Sequence, residues 1–129
     1  MSARTDLVAA LTAGLPATYR VVGAPDVPDQ VDVGEYAVRC WQTEVTPGPQ
    51  LGGLTMPLVL WVLTGKQKPG TVDDVLDVAV LAVLDVLHGL EWVQWTRAER
   101  GVMTREDGSG LHGWRFDLTA YGRIETTED

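Results

Sequence analysis

The chain has 129 residues, of which 45% are hydrophobic and 22% are charged, and this size and composition indicate one globular domain rather than a disordered chain. Its formal net charge of −8 disfavours stable nucleic-acid binding, because phosphate contacts need clustered Lys and Arg side chains. The single cysteine, Cys40, excludes an internal disulfide framework, and the first residues lack the apolar core of a signal peptide, so we expect a soluble protein made in the cytoplasm.

A short helix and a strand open the predicted fold. Leu7 and Leu11 lie on one side of a helix over residues 3–14, and Gly14 is a residue type that commonly ends a helix. Residues 18–22, TYRVV, predict the first strand. The element order therefore begins with a helix followed by a strand.

Two further strands follow, separated by two long loops. Residues 23–34 and 46–55 contain several Gly and Pro residues, which is typical of loops. Residues 35–45 alternate, so they predict a strand with two different faces. One face carries Tyr36, Val38 and Cys40, and the other carries Arg39, Trp41 and Thr43. Residues 56–64, MPLVLWVLT, are apolar on both faces, as expected for a central strand that is covered on both sides.

The stretch PGTVDDVLDVAVLAVLDVLHGL (69–90) predicts a long helix. Its longest unbroken apolar run covers only residues 78–84, far fewer than the roughly 20 residues that a bilayer requires, so we expect no membrane span. Thr71 fits the cap at its start and Gly89 fits the residue after its end.

This helix has an unusually wide apolar surface. At about 100° per residue its polar side chains fall within roughly 120°. They are Asp73, Asp74, Asp77, Asp85 and His88. A helix packed on one sheet needs an apolar stripe only somewhat wider than about 100°, and here the apolar arc is about twice as wide. Either the first helix or another subunit must therefore cover the remainder.

Two strands complete the predicted fold. Residues 91–104 predict a strand with a bulge near Gly101. Residues 114–124, WRFDLTAYGRI, have the clearest period of two in the chain. Trp114, Phe116, Leu118 and Ala120 alternate with Arg115, Asp117, Thr119 and Tyr121. We interpret residues 1–124 as a single domain with the order α-β-β-β-α-β-β, followed by a flexible acidic tail at residues 125–129.

One acidic motif resembles a metal site. Asp73, Asp74 and Asp77 match the DDxxD pattern with which prenyl-transferring enzymes hold Mg²⁺. Those enzymes are much larger helical bundles, and here the aspartates lie in the first turns of a helix, where negative charge stabilises the helix dipole. We therefore predict a structural role and no metal ligands.

A thiol site is the other candidate for chemistry. Cys40 with His88 or His112 has the residue types of a nucleophile and its base. However, Cys40 lies in the middle of a predicted strand on its apolar face, where a thiol usually behaves as a small hydrophobic group. We predict no catalytic residues, no cofactor-binding residues and no enzymatic activity.

Aromatic residues on the polar face of the predicted sheet suggest a covered surface. Trp41 shares its face with Arg39, and Trp95 and Tyr121 alternate in register with polar residues. Interfaces between proteins favour Trp, Tyr and Arg. The hypothesis is an interface between subunits that contains Arg39, Trp41, Trp95 and Tyr121. The alternative is local burial under the long loops.

The layout of the whole chain resembles the tail terminator proteins of long-tailed bacteriophages. The resemblance lies in a short N-terminal helix, a loop-rich β region, the stretch MPLVLWVLTGKQKPGTVDDVLDVAVLAVLDVLHGL (56–90) and the closing strand WRFDLTAYGRIE (114–125). It covers nearly the whole chain, but it consists of layout and pattern rather than a fixed motif. It implies an α+β protomer with two helices packed on one face of a mostly antiparallel or mixed sheet.

The resemblance also implies a function and partners. Tail terminator protomers form a hexameric ring, and the ring caps the tail tube and offers a surface for head attachment. The expected partners are other copies of the chain, the tail tube protein and the head–tail connector protein. The expected location is the tail and neck region of a virion that is assembled in the host cytoplasm. Two alternatives remain open: a head–tail joining or tail-completion protein of the neck, and a small enzyme or ligand-binding domain.

Overall fold

The computed structural model describes two helices and six strands. The described residues are 3–26, 28, 31, 34–65, 69–104, 108 and 110–123. The elements are α1 (Ala3–Gly14), β1 (Tyr19–Val22), β2 (Tyr36–Gln42), β3 (Thr46–Pro47), β4 (Gly53–Thr64), α2 (Pro69–His88), β5 (Val93–Thr104) and β6 (Gly110–Arg123). The predicted tail at residues 125–129 lies outside the described residues. Within the described ranges, neither helix has the length and hydropathy needed to cross a membrane.

All six strands belong to one mixed sheet. Its order is β1-β2-β4-β6-β5, and the short β3 pairs with the beginning of β4. β1 runs parallel to β2, and each of the other neighbouring pairs is antiparallel. β4 occupies a central position between β2 and β6, as its apolar residues on both faces predict. The predicted α+β class is confirmed.

Both helices pack on the same face of the sheet. Leu7 and Leu11 of α1 share one core cluster with Ala79 and Val83 of α2 and with Phe116 of β6, and all five residues are completely buried. The strands also contribute Val38, Cys40, Leu58, Leu60, Val62, Leu118 and Ala120 to this cluster. The β2 and β6 members are alternate residues along their strands, which confirms the predicted facing of both strands.

The wide apolar surface of α2 is covered mainly from within the protomer. Its central residues pack on the sheet, while Val86 lies against α1, close enough that a Cβ on Gly14 would approach Val86 Cγ2 to 2.8 Å. The sequence left open whether the first helix or another subunit covers the wide apolar arc. The first helix, α1, covers the side that carries Val86. Val78 and Leu81 remain 63% and 67% exposed. The helix therefore does not require another subunit to bury most of its apolar arc.

The start of α2 differs from the prediction. The helix begins at Pro69, so Thr71 lies inside the first turn instead of preceding it as a cap. Proline suits this position because the first amide groups of a helix have no partner within the helix and the proline ring fixes a helical φ. The end at His88, followed by Gly89, is as predicted.

The predicted loop at residues 46–55 is wrong, because it contains a hairpin. Thr46 and Pro47 pair with Thr55 and Leu54, and Gly48 N donates to Gly53 O at 2.9 Å. Gly53 N donates to Gln50 O at 2.9 Å, and Gly52 has a φ of +79°, so residues 50–53 form a type II turn. The Gly and Pro residues that suggested a loop build this turn.

Candidate protein-contact surfaces

The face of the sheet opposite the helices carries aromatic and charged side chains in two neighbouring rows. The backbone register aligns Arg39, Trp61, Arg115 and Glu99 across β2, β4, β6 and β5. The next row aligns Trp41, Val59, Asp117 and Arg97. We call these eight residues the open face.

Charges alternate in sign on the β5–β6 half of the open face. Arg97 donates a short hydrogen bond to Glu99, and Arg115 Nη2 lies 3.3 Å from Asp117 Oδ1. All four side chains are between 37% and 66% exposed. Exposed pairs of this kind contribute little to stability, but they leave this half of the face with no net charge.

Arg39 is a structural residue of the protomer. It is only 8% exposed, its Nη1 donates to Val38 O at 3.2 Å, and its Nε lies 3.7 Å from Asp26 Oδ1. Among the described residues, Nε has no hydrogen-bond partner. The guanidinium therefore holds the segment around Asp26 against the sheet and leaves little surface for another subunit.

Trp41 and Trp61 supply the large apolar surface of the open face. Both are half-buried. A Cβ on Gly101 would lie 3.0 Å from Trp61 Cη2, so the indole of Trp61 lies directly over the Gly101 backbone. The sequence did not single out Trp61, because β4 is apolar on both faces and its facing becomes clear only from its pairing with β2 and β6.

The prediction that Trp95 shares the face of Trp41 is wrong. The register shifts between Trp95 and Arg97, so Thr96 is an extra residue and Trp95 turns to the helix side, opposite Leu118. There its Nε1 donates to His88 Nε2 at 2.9 Å. The sequence predicted a bulge near Gly101, but the observed bulge lies several residues earlier, between Trp95 and Arg97. Trp95 therefore connects β5 to the end of α2 inside the protomer.

Tyr121 lies away from Trp41, near the hairpin formed by β3 and β4. It pairs with Thr55 across the sheet and is 46% exposed, and its hydroxyl lies 3.4 Å from Gln94 Oε1. The four residues of the predicted interface thus separate into a buried Arg39, a half-buried Trp95 bonded to α2 of its own protomer, and Trp41 and Tyr121 on the face opposite the helices. Their role in subunit contacts stays a prediction for the two surface residues.

The β3–β4 hairpin is a second candidate surface. Its tip residue Leu51 is fully exposed, and Val45 at its start is 53% exposed. A cleft of about 350 Å³ lies beside it, lined in part by Gly48, Leu54 and Tyr121. The hairpin thus presents an apolar tip and an adjacent recess.

The aspartate that opens the metal-like motif has a structural partner. Asp73 accepts a hydrogen bond from Arg100 Nη1 at 3.0 Å, and the Arg100 guanidinium lies 5.7 Å from the centre of the Trp114 ring. Asp73 thereby connects α2 to β5. In the part of the chain that the structure describes, no group of three or more His, Cys, Asp or Glu side chains is arranged to hold a metal ion.

Cys40 is enclosed by the core between the helices and the sheet. It is completely buried, and burial raises the pKa of its thiol to about 11. We expect native protein not to react with iodoacetamide at neutral pH, because the thiolate is the reactive form and solvent does not reach it. Mass spectrometry should show one added group only after unfolding in denaturant. Rapid alkylation of the native protein would contradict this burial.

In comparisons with known proteins, no protein-family model matches the chain, and no curated protein matches it at a significant level.

Proposed function

We propose that this protein is a virion structural protein of a long-tailed bacteriophage, a tail terminator. Its copies form a hexameric ring that caps the tail tube and presents the surface to which the head attaches. It acts by assembly rather than by catalysis, in the tail and neck region of a virion assembled in the host cytoplasm. Its partners are other copies of itself, the tail tube protein and the head–tail connector protein.

The observation that carries the proposal is the layout of the protomer. An N-terminal helix precedes the sheet, α2 connects β4 to β5, and both helices cover one face. This is the arrangement that the resemblance to tail terminators implies for nearly the whole chain. The open face and the hairpin support it, because a ring requires each protomer to offer surfaces to its neighbours.

Molar mass tests the proposal directly. Light scattering of the purified chain, over a range of concentrations and with or without isolated tail tubes of the same phage, should give a multiple of the 14.0 kDa protomer mass. Electron microscopy should show rings, and tubes should carry a ring at one end. A protein that remains a 14.0 kDa monomer in all these conditions would overturn the proposal. Binding to filled heads but not to tubes would favour a neck protein instead.

Trp41→Ala is expected to weaken assembly. A half-buried tryptophan on the open face has the character of an interface hot spot, for which truncation costs more than about 1 kcal/mol, or several-fold in the association constant. The concentration at which half of the protein is assembled, measured by light scattering, should rise accordingly.

Trp95→Ala is the matched control for this variant. Because its indole bonds to His88 inside the protomer, we expect a lower free energy of unfolding and unchanged association of the folded protein. Assembly of Trp41→Ala at wild-type concentrations would show that Trp41 packs only within its own subunit.

A further inference from the structure

The longest uncharged part of the chain includes a projecting element. No Asp, Glu, Lys or Arg occurs from Val45 to Gly65, although the whole chain has a net charge of −8. The second half of this segment is the buried part of β4, whereas residues 45–55 form the exposed hairpin. The hairpin is therefore a surface on which two copies of an acidic chain can meet without bringing like charges together.

The tip of this hairpin carries a fully exposed apolar side chain. The type II turn at residues 50–53 places Leu51 at its second position, and Leu51 is fully exposed. Gly, Pro, Asn, Asp and Ser dominate turns, and proline is common at the second position of a type II turn. Leucine at this position contributes hydrophobic stabilisation only when another surface covers its side chain.

A receiving surface of matching chemistry exists on the same chain. The cleft of about 350 Å³ beside the hairpin is lined by Leu54, Tyr121, Gln50 and Pro49, with Gly48, Gly53 and Gly122 among its walls. None of these residues is charged. The volume is larger than a leucine side chain requires.

We propose that Leu51 at the hairpin tip of one copy inserts into the cleft beside Tyr121 of a second copy. The inference rests on the proposed function, since it names one contact through which copies associate. A second copy is the occupant because it supplies both parts, and because the tip and the cleft lining carry no charged residues that would repel an acidic chain. Tip and cleft adjoin in the same hairpin region, so each copy can both offer the leucine and receive one.

Disulfide trapping tests the contact between the two surfaces. Leu51→Cys and Tyr121→Cys are made in copies with tags of different size, mixed and oxidised. Cys40 does not compete because it is completely buried. The control pairs Leu51→Cys with Val102→Cys, a position that is 48% exposed and lies opposite His112, about 30 Å along β6 from Tyr121. We expect a mixed crosslink with Tyr121→Cys and none with Val102→Cys.

Molar mass provides the second measurement. Leu51→Asp should shift the protein from its assembled mass to the 14.0 kDa protomer, while Val102→Asp should assemble as the wild type does. Both positions are exposed, so both variants should retain the wild-type circular dichroism spectrum.

The outcomes separate this inference from the proposed function. If the wild type assembles, and Leu51→Asp also assembles without a crosslink at Tyr121, the contact is wrong and the ring proposal stands. Loss of assembly in Leu51→Asp without the crosslink overturns the cleft as the receiving surface. A wild type that is a protomer under all conditions overturns both proposals.

Discussion

Val83→Asp is expected to abolish soluble folding, whereas Val78→Asp, on the same helix, is expected to fold. Val83 is completely buried in the core between α2 and the sheet, with Ala79 and Leu87 as neighbours along the helix. An unpaired carboxylate there loses its hydration at a cost of several kcal/mol. The whole stability of a domain this size is only about 5–15 kcal/mol. Val78 is 63% exposed, so its replacement keeps the new charge in water.

Soluble yield and circular dichroism show whether Val83→Asp folds. A urea titration measures the stability of Val78→Asp. A milder variant, Val83→Ala, keeps the test informative if Val83→Asp gives no soluble protein. Its cavity should cost about 2 kcal/mol of unfolding free energy, against well under 1 kcal/mol for Val78→Ala. Equal losses at the two positions would show that the buried face of α2 is placed incorrectly.

The periodicity of the sequence predicted the facing of regular elements well. Phe116 and Leu118 face the helices and Arg115 and Asp117 face away, as the period of two in β6 predicts. The distinction between Val83 and Val78 also follows from helical periodicity alone. Such patterns are reliable because one buried face selects the register of the whole element.

The facing of Trp95 could not be predicted, because one inserted residue reverses the facing of residues before it relative to those after it. The bulge at Thr96 turns Trp95 toward His88 and leaves Arg97 on the open face. Nothing local distinguishes Thr96, whereas Gly101 attracted the prediction because glycine is common in bulges. Gly101 instead accommodates the indole of Trp61, which reaches it from β4. Contacts between strands distant in sequence decided both positions.

The candidate contact surfaces were predictable only in part. Trp41 was identified correctly as a surface aromatic on the face of Arg39, since both belong to one alternating strand. The hairpin was not identified, because β3 has only two residues and its pairing with β4 depends on a glycine turn. Trp61 was missed because β4 is apolar on both faces, so its sequence pattern does not show on which face of the sheet each side chain lies.

Gly113→Ala is expected to be strongly destabilising. Gly113 of β6 pairs with Leu63 of the neighbouring central strand β4. A Cβ at Gly113 would lie 2.2 Å from the carbonyl oxygen of Val62. It would also lie 2.8 Å from Leu63 Cδ2. A backbone oxygen in a central strand cannot move aside as the end of a flexible side chain can. The two strands must separate locally, which weakens their hydrogen bonds.

We expect Gly113→Ala to lose about 3 kcal/mol of unfolding free energy, the upper part of the usual range for overpacking. Gly89→Ala is the matched control, because the added methyl group meets only Val86 O at an ordinary 3.4 Å. Its stability should stay within about 0.5 kcal/mol of the wild type, since alanine also restricts the unfolded chain. Urea titrations of both variants measure the difference. Equal stability of the two would mean that β6 does not approach Val62 as closely as the register requires.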